Sequence, residues 1–430
     1  MVERMVRMNN TRAFEEYESQ VRSYCRHFPT VFTKAKGSFL YDEAGRKYLD
    51  FFCGAGGVNY GHNNDAIKKK VIEYLESDGV MHSLDMYTAP KREFIEFYEQ
   101  KILQPRGLNY KIQFPGPTGT NAVEAALKLA RKVKKRQNIF AMMGGFHGMT
   151  LGSVALTTDA NSRAGAGVAL QNVTHLPAPY MFPELDTLKY FETMITDDHS
   201  GVDKPAAIIL ETTQADGGVY PFDPDWLRGV RDICDRHDIL MIVDDIQVGC
   251  ARTGYFFSFE LAGIVPDIVT QSKSIGGYGM PFALVLIKPE LDIWKPGEHN
   301  GTFRGYQLSM VAAKAGLEVM LEERVEEQVR GKETIIAQAM EEINALAPGK
   351  LEARGRGFIW GLDVAKFGEQ ADAVAGGIQD TAFEKGLIVE RCGRGDAVVK
   401  LMPDLLITEE DLKYGLSLFK AAVKETLQKI

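Results

Sequence analysis

The sequence predicts a mixed α/β protein: one large, mainly parallel sheet with helices on both faces, plus a smaller α+β lobe built from the two chain ends. Three observations carry this. Short apolar runs of strand length recur through the middle of the chain, at 111–114, 139–143, 206–210, 239–243, 268–270 and 282–287. Several are apolar throughout, as strands buried on both faces are. Amphipathic helical patterns such as 121–134 and 226–237 lie between them, and strands alternating with helices specify parallel pairing through crossovers. The ends read differently. Residues 32–52 alternate around turn signals such as Glu43-Ala44-Gly45, which predicts a small antiparallel meander. After about Arg304 come long helical patterns, with strand-like segments at 357–364 and 397–402 near the end.

Length and composition set the frame. The 430 residues suggest two or three lobes at a soft prior of about 150 residues per domain. The expected division is 1–58 for the first part of the small lobe, 59–304 for the large domain and 305–430 for the rest of the small lobe. With Lys+Arg at 50 and Asp+Glu at 58, the net charge is −8, so long-range attraction to nucleic acid or anionic membrane is not expected. No window reaches the roughly 18 apolar residues of a membrane span, and the first 20 residues lack the apolar core of a secretory leader. The five cysteines are scattered, with no C-x-x-C pair, so neither a zinc site nor a disulfide framework is expected. A reducing, cytoplasmic setting fits that pattern.

In a parallel sheet, ligands bind beyond the carboxyl ends of the strands. The residues just after each predicted strand are therefore the candidates for function. After 239–243 comes Asp244-Asp245-Ile246-Gln247, and after 268–270 comes Gln271-Ser272-Lys273 followed by glycines. After 206–210 stand Glu211 and Asp216 among turn residues, and after 139–143 stands Gly144-Gly145-Phe146-His147-Gly148. Pro117-Thr118-Gly119-Thr120 opens the helix at 121, where free N–H groups and the helix dipole suit a phosphate. Asn121 and Glu124 also fit a capping box. His147 reads as a hydrogen-bonded residue, because no second His or Cys keeps metal-ligand spacing with it. Taken singly, each feature has an ordinary structural explanation. Together they supply an amine, a carboxylate, a phosphate cup and an aromatic ring, the set that pyridoxal 5′-phosphate requires.

The motifs also resemble a known family. Asp244-Asp245-Ile246-Gln247-Val248-Gly249 with Arg252-Thr253-Gly254 resembles the D-E-x-Q-x-G-x-G-R-T-G stretch of class III (ω-) aminotransferases of PLP fold type I. Thr118-Gly119-Thr120 and the helix through Arg131, the Phe146-His147-Gly148 turn and Asn300-Gly301-Thr302-Phe303 match further motifs of that class. Within it, the likeness is strongest to the diaminobutyrate–2-oxoglutarate aminotransferases of ectoine biosynthesis. The stretches around Asn59-Tyr60-Gly61-His62-Asn63, Ser83-Leu84-Asp85-Met86, residues 114–124 and residues 294–305 carry it.

The resemblance implies roles. Lys273 would bind the cofactor aldehyde and move protons, and Asp244 would keep the pyridine nitrogen protonated. Gln247 would sit near O3′, and Phe146 would stack on the ring. Gly119 and Thr120 would bind phosphate, with Thr302 reaching it from the other subunit of a homodimer or dimer of dimers. Glu211, Asp216 and Lys400 would face substrate. The implied substrates are a small amino donor and a keto or aldehyde acceptor: L-glutamate with L-aspartate 4-semialdehyde, giving 2,4-diaminobutyrate and 2-oxoglutarate. The alternatives are another small amino acid or diamine of a natural-product or siderophore pathway, and an aminomutase or epimerase on the same scaffold. No metal is implied.

Four positions depart from the usual class III pattern. Lys400 stands where most members place a carboxylate-binding arginine, and Asp404 replaces a proline in the same motif. Asp216 is shorter than the glutamate that usually neutralises that arginine, and Gly276-Gly277 replaces Ser-Gly after the lysine. If Lys400 is not the clamp, Arg304, Arg391 and Arg394 are the other candidates.

Overall fold

A computed structural model describes residues 11–429 of the chain. The opening ten residues, which bear on the expected absence of a leader, lie outside the described residues.

The predicted meander forms strands β1 (Phe32–Lys36), β2 (Phe39–Asp42) and β3 (Lys47–Asp50). The middle of the chain then gives β4 (Lys111–Gln113), β5 (Ile139–Met142), β6 (Val173–Leu176), β7 (Ala207–Leu210), a short pair β8 (Thr213–Gln214) and β9 (Tyr220–Pro221), then β10 (Leu240–Asp244), β11 (Ile268–Gln271) and β12 (Leu284–Ile287). Seven of these make the large sheet, in the order β4-β12-β11-β10-β7-β5-β6. From β6 to β11 every pairing is parallel; β12 runs against both its neighbours. All six predicted runs lie in this sheet. The strand not anticipated is β6, whose sequence VTHL is half-polar because it forms the sheet edge.

Helices cover the sheet as the alternating pattern requires. Helix Gly119–Lys134 buries an Ala/Leu/Val stripe, and helix Pro224–Arg236 is started by Pro224 and by Asp223, whose carboxylate accepts from the N–H groups of Asp225 and Trp226 at 2.7 and 3.3 Å. The expected capping box at Asn121 does not form. The helix begins two residues earlier, at Gly119, where a residue without a side chain permits close approach. Glu124 turns instead to the Thr150 hydroxyl and the Ser153 N–H.

The C-terminal part supplies helices Gln307–Glu322 and Val325–Asn344, then β13 (Glu352–Arg356), β14 (Ile359–Asp363), β15 (Leu387–Ile388), β16 (Glu390–Cys392) and β17 (Val398–Leu401). Strand β15 pairs parallel to β3, so the two chain ends share one sheet, and β13-β14-β17-β16 form another. No helix among the described residues is long and apolar enough to cross a membrane. The large, mainly parallel sheet and the smaller lobe built from both chain ends match the expected architecture.

Candidate active site

The carboxyl ends of β5, β7, β10 and β11, neighbouring parallel strands, deliver Phe146, Glu211, Asp244 and Lys273 to one place. Asp244 ends β10 and lies in register with Thr270 of β11, whose hydroxyl donates to Asp244 Oδ1 at 3.3 Å. The same oxygen accepts the Ile246 N–H at 3.2 Å. Oδ2 meets Nδ1 of the fully buried His147 at 2.7 Å. Burial alone would depress the imidazole, but the hydrogen bond and charge of Asp244 hold its pKa above the ordinary value. His147 is thus an orienting partner of Asp244, and its Nε2 finds no hydrogen-bond partner among the described residues.

Glu211 occupies a different position from the one expected. Its carboxylate accepts the N–H groups of Phe146 (3.0 Å) and Ala215 (3.1 Å), and burial raises it to about 7. With both oxygens held by backbone, it braces the Phe146 turn and does not present itself to a substrate.

Lys273 follows β11 in a single 3-10 turn with φ 53°, a left-handed conformation costing about 1–3 kcal/mol in a non-glycine residue. No hydrogen bond or ion pair holds its amine among the described residues. Burial and the nearby positive charge of Lys400 lower its pKa, favouring the neutral form a nucleophilic amine requires. Of the two glycines that follow, Gly277 is obligatory. It has φ 70°, and a Cβ there would meet the Ala312 carbonyl at 2.1 Å. At Gly276 the nearest atom would stand 3.6 Å away, so the departure from Ser is sterically neutral.

The N–H groups of Gly119 and Thr120 open a 16-residue helix that has no side-chain cap, leaving donors free at its positive end. The Thr120 hydroxyl lies 2.7 Å from that of Thr150. Thr302 is on an exposed turn: Phe303 packs edge-on to His82, and Arg304 Nη2 approaches Asp85 at 3.4 Å.

Across the crevice, β17 brings Lys400 in from the small lobe. Its side chain is almost wholly buried, and its ammonium lies 2.9 Å from Glu390 Oε2 and 3.4 Å from Gln247 Oε1. Burial would lower the lysine, yet Glu390 holds it above its ordinary value. Gln247 is itself pinned by donating to the Ala55 carbonyl at 2.8 Å. Asp216 is raised by burial against the pull of Lys400 and Lys273. It also lines a cavity of about 820 Å³ with Gly145, Arg391, Gly393 and Arg394. Glu390 is the residue that sequence reasoning missed. The signal was an acid in Glu390-Arg391-Cys392 and a lone base in Val398-Val399-Lys400-Leu401, two adjacent buried strands in which opposite charges must meet.

The alternative cations differ in availability. Arg391 is held by Asp372 at 2.6 Å and Arg304 by Asn300 at 3.0 Å. Arg394 lies 5.6 Å above the ring of Tyr180, which stacks on Tyr220 at 3.5 Å, and it has no acidic partner among the described residues. Asp404 turns away from the cavity and accepts the Leu406 N–H at 3.1 Å.

A free, depressed lysine amine, a carboxylate held by a buried histidine and an uncapped helix N-terminus fit pyridoxal 5′-phosphate. Comparison with known proteins agrees. The family model "Aminotransferase class-III" matches residues 21–423. A diaminobutyrate–2-oxoglutarate transaminase of Streptomyces coelicolor is 53% identical over 418 residues, 96% of this chain and 97% of that protein. One from Sporosarcina pasteurii is 50% identical over 421 residues, 98% of each. Among solved structures, an S-selective transaminase from Arthrobacter sp. superposes with a TM-score of 0.88 at 23% identity, covering 98% of each chain. The ornithine aminotransferase of Toxoplasma gondii, described with partial PLP occupancy, gives 0.84 at 23% identity over 98% of this chain and 95% of that one. The chain belongs to the class III aminotransferases, and its cofactor is pyridoxal 5′-phosphate.

Proposed function

We propose that the protein transfers an amino group between L-glutamate and L-aspartate 4-semialdehyde, giving L-2,4-diaminobutyrate and 2-oxoglutarate. The names of relatives near 50% identity support this pair over another diamine or an aminomutase. The structural observation that carries it is the buried ammonium of Lys400 close to the free amine of Lys273. Such a charge calls for a carboxylate on the substrate.

The cofactor supplies an aldehyde that exchanges with amines and a pyridinium ring that withdraws electrons from the reacting carbon. The chain does the rest. Lys273 binds the cofactor through its amine and then carries a proton to and from the donor's reacting carbon. Asp244, oriented by His147, holds the proton on the ring nitrogen. Phe146, braced by Glu211, covers a ring face, and Gln247 stands by the ring oxygen. Gly119 and Thr120 take the phosphate, joined by Thr302 of a second subunit.

Lys400 receives the carboxylate on glutamate's reacting carbon. Arg394, which has no acidic partner among the described residues, receives the distal carboxylate, and Asp216 faces the substrate between them. The exposed Phe303, Met86 and Tyr87 near Thr302 support a dimer, and five unpaired cysteines support a cytoplasmic setting. The division at residues 58 and 304 is part of this reading.

The test is to incubate purified holoenzyme with glutamate and aspartate 4-semialdehyde and identify the products by mass spectrometry. Equal amounts of diaminobutyrate and 2-oxoglutarate are expected. Absence of diaminobutyrate would overturn the proposal.

A further inference from the structure

Of residues 294–305, a stretch that carries the family likeness, the proposed reaction uses only Thr302. The rest of the stretch fixes where that hydroxyl stands. The chain leaves the large sheet after β12, and before reaching Thr302 it is anchored on helix Gly119–Lys134. Trp294 packs partly buried against the core on that side of the sheet, and its Nε1 donates to Gln113 Oε1 at 3.1 Å. The ammonium groups of Lys128 and Lys132, both on the helix, stand 5.7 and 5.6 Å from the centre of its ring.

A tight turn follows. Pro296 presets the corner of Lys295-Pro296-Gly297-Glu298, Gly297 supplies φ 81°, and the Glu298 N–H donates to the Lys295 carbonyl at 3.1 Å. The turn brings Glu298 back to the same helix, where its carboxylate pairs with Lys132 and its carbonyl accepts from Lys128. A second anchor lies beyond Thr302: Gln307 Nε2 donates to Ser83 Oγ at 2.8 Å, and Arg304 approaches Asp85. Thr302 is exposed on the stretch between the two anchors. Lys128 and Lys132 are about 14 and 20 Å along the helix axis from Gly119, at 1.5 Å per residue. A substitution at Trp294 therefore leaves the phosphate-binding N–H groups of its own helix untouched, and acts on a phosphate through the loop.

We propose that Trp294 and Glu298 are positioning residues for cofactor retention, holding the loop so that Thr302 meets the phosphate. Trp294 bears most of this, because its indole packs against the core, whereas the Glu298–Lys132 pair is partly exposed and such pairs hold weakly. One helix thus takes phosphate at its first turn and braces, at its later turns, the loop that serves the other subunit's phosphate. The inference rests on the reading of Thr302 as a phosphate ligand.

The experiment follows release of cofactor from dialysed holoenzyme by its absorbance. Wild type is compared with Trp294→Ala, Glu298→Ala, Thr302→Ala, and the two doubles that join Thr302→Ala to each of the others. Trp294→Ala should release cofactor about five- to tenfold faster than wild type, and Glu298→Ala about two- to threefold faster, as a weaker, partly exposed contact does. Each double should match Thr302→Ala alone to within about twofold, because a loop without its hydroxyl has nothing left to position. A general loosening of the fold would instead multiply the two effects. Trp294→Phe should lie between wild type and Trp294→Ala, since it keeps a ring against the core but loses the hydrogen bond to Gln113. Glu298→Ala and its double carry the comparison if Trp294→Ala does not fold. Wild-type release in the Trp294 and Glu298 variants, or doubles whose effects multiply, would overturn the inference. Wild-type release in Thr302→Ala would remove the phosphate role of Thr302, and the inference with it.

Discussion

On the sheet side of the crevice, Asp244 is held by the His147 ring, the Thr270 hydroxyl and the Ile246 N–H, and Glu211 by two further backbone donors. On the small-lobe side, Lys400 is held by one charge contact to Glu390 and a long 3.4 Å approach to Gln247. Both walls bury charge, but they do so for different tenants. A cofactor that stays through every cycle is served by groups locked in several directions. The cation proposed to meet the donor, which changes each half-cycle, has fewer contacts on its wall.

The largest break in this comparison comes from the sheet side. Lys273→Ala should reduce transamination by more than about a thousandfold, within the range of a lost general acid–base group. Its circular dichroism and melting temperature should stay near wild type, because that amine holds no structural partner among the described residues. Measurable turnover at even a tenth of the wild-type rate would exclude Lys273 from its assigned role.

The small-lobe side should fail selectively. Lys400→Ala is expected to slow the glutamate half-reaction about 10–100-fold, or roughly 1.4–2.7 kcal/mol, with a smaller loss for diaminobutyrate. Stopped-flow traces with each donor would separate the two. Equal losses would move the carboxylate contact to Arg394.

Thr302 tests whether the sheet-side site extends over a subunit boundary. A hydroxyl contact to a dianion contributes roughly 1.5 kcal/mol or more, so Thr302→Ala should release cofactor about tenfold more readily, as read by dialysis. Hybrids with Lys273→Ala give its direction. If Thr302 serves the opposite site, each hybrid dimer has one intact site and one carrying both lesions, and activity returns. If it serves its own, every site carries one lesion and none is restored.

The smallest effect concerns the acid under Phe146. Glu211 is raised by burial to about 7 from an ordinary 4.5, so between these pH values the folded chain binds more protons than the unfolded one. This raised acid therefore lowers stability most above pH 7, and the penalty fades as pH falls toward 4.5. Glu211→Gln, studied as cofactor-free protein, should melt higher relative to wild type at pH 8 than at pH 5. A difference independent of pH would show that Glu211 is not raised.

Much of the sheet side was legible in the sequence because its signals are local. Each candidate follows its own apolar strand by a few residues, and parallel pairing brings those strand ends together whatever the loops do. Local reading failed where a residue had more than one available partner. Asn121 and Glu124 have capping-box spacing, but Thr150 and Ser153, on another segment, take Glu124. Glu211 was expected at the substrate, yet two nearby N–H groups hold it. Asp216 lies within electrostatic reach of Lys400, while strand register sets Glu390, which no local signal singled out, directly opposite it. Edge strand β6 escaped because exposure relaxes the apolar pattern that marked the others.

The most direct test of a single crevice serving two donors is a pair of single turnovers on wild-type holoenzyme. Glutamate and diaminobutyrate, each added alone, should bleach the same fraction of the bound cofactor's visible absorbance. Lys273→Ala loaded with cofactor should respond to neither at a comparable rate. Bleaching by only one donor in wild type, or bleaching by diaminobutyrate at full rate without Lys273, would contradict the account.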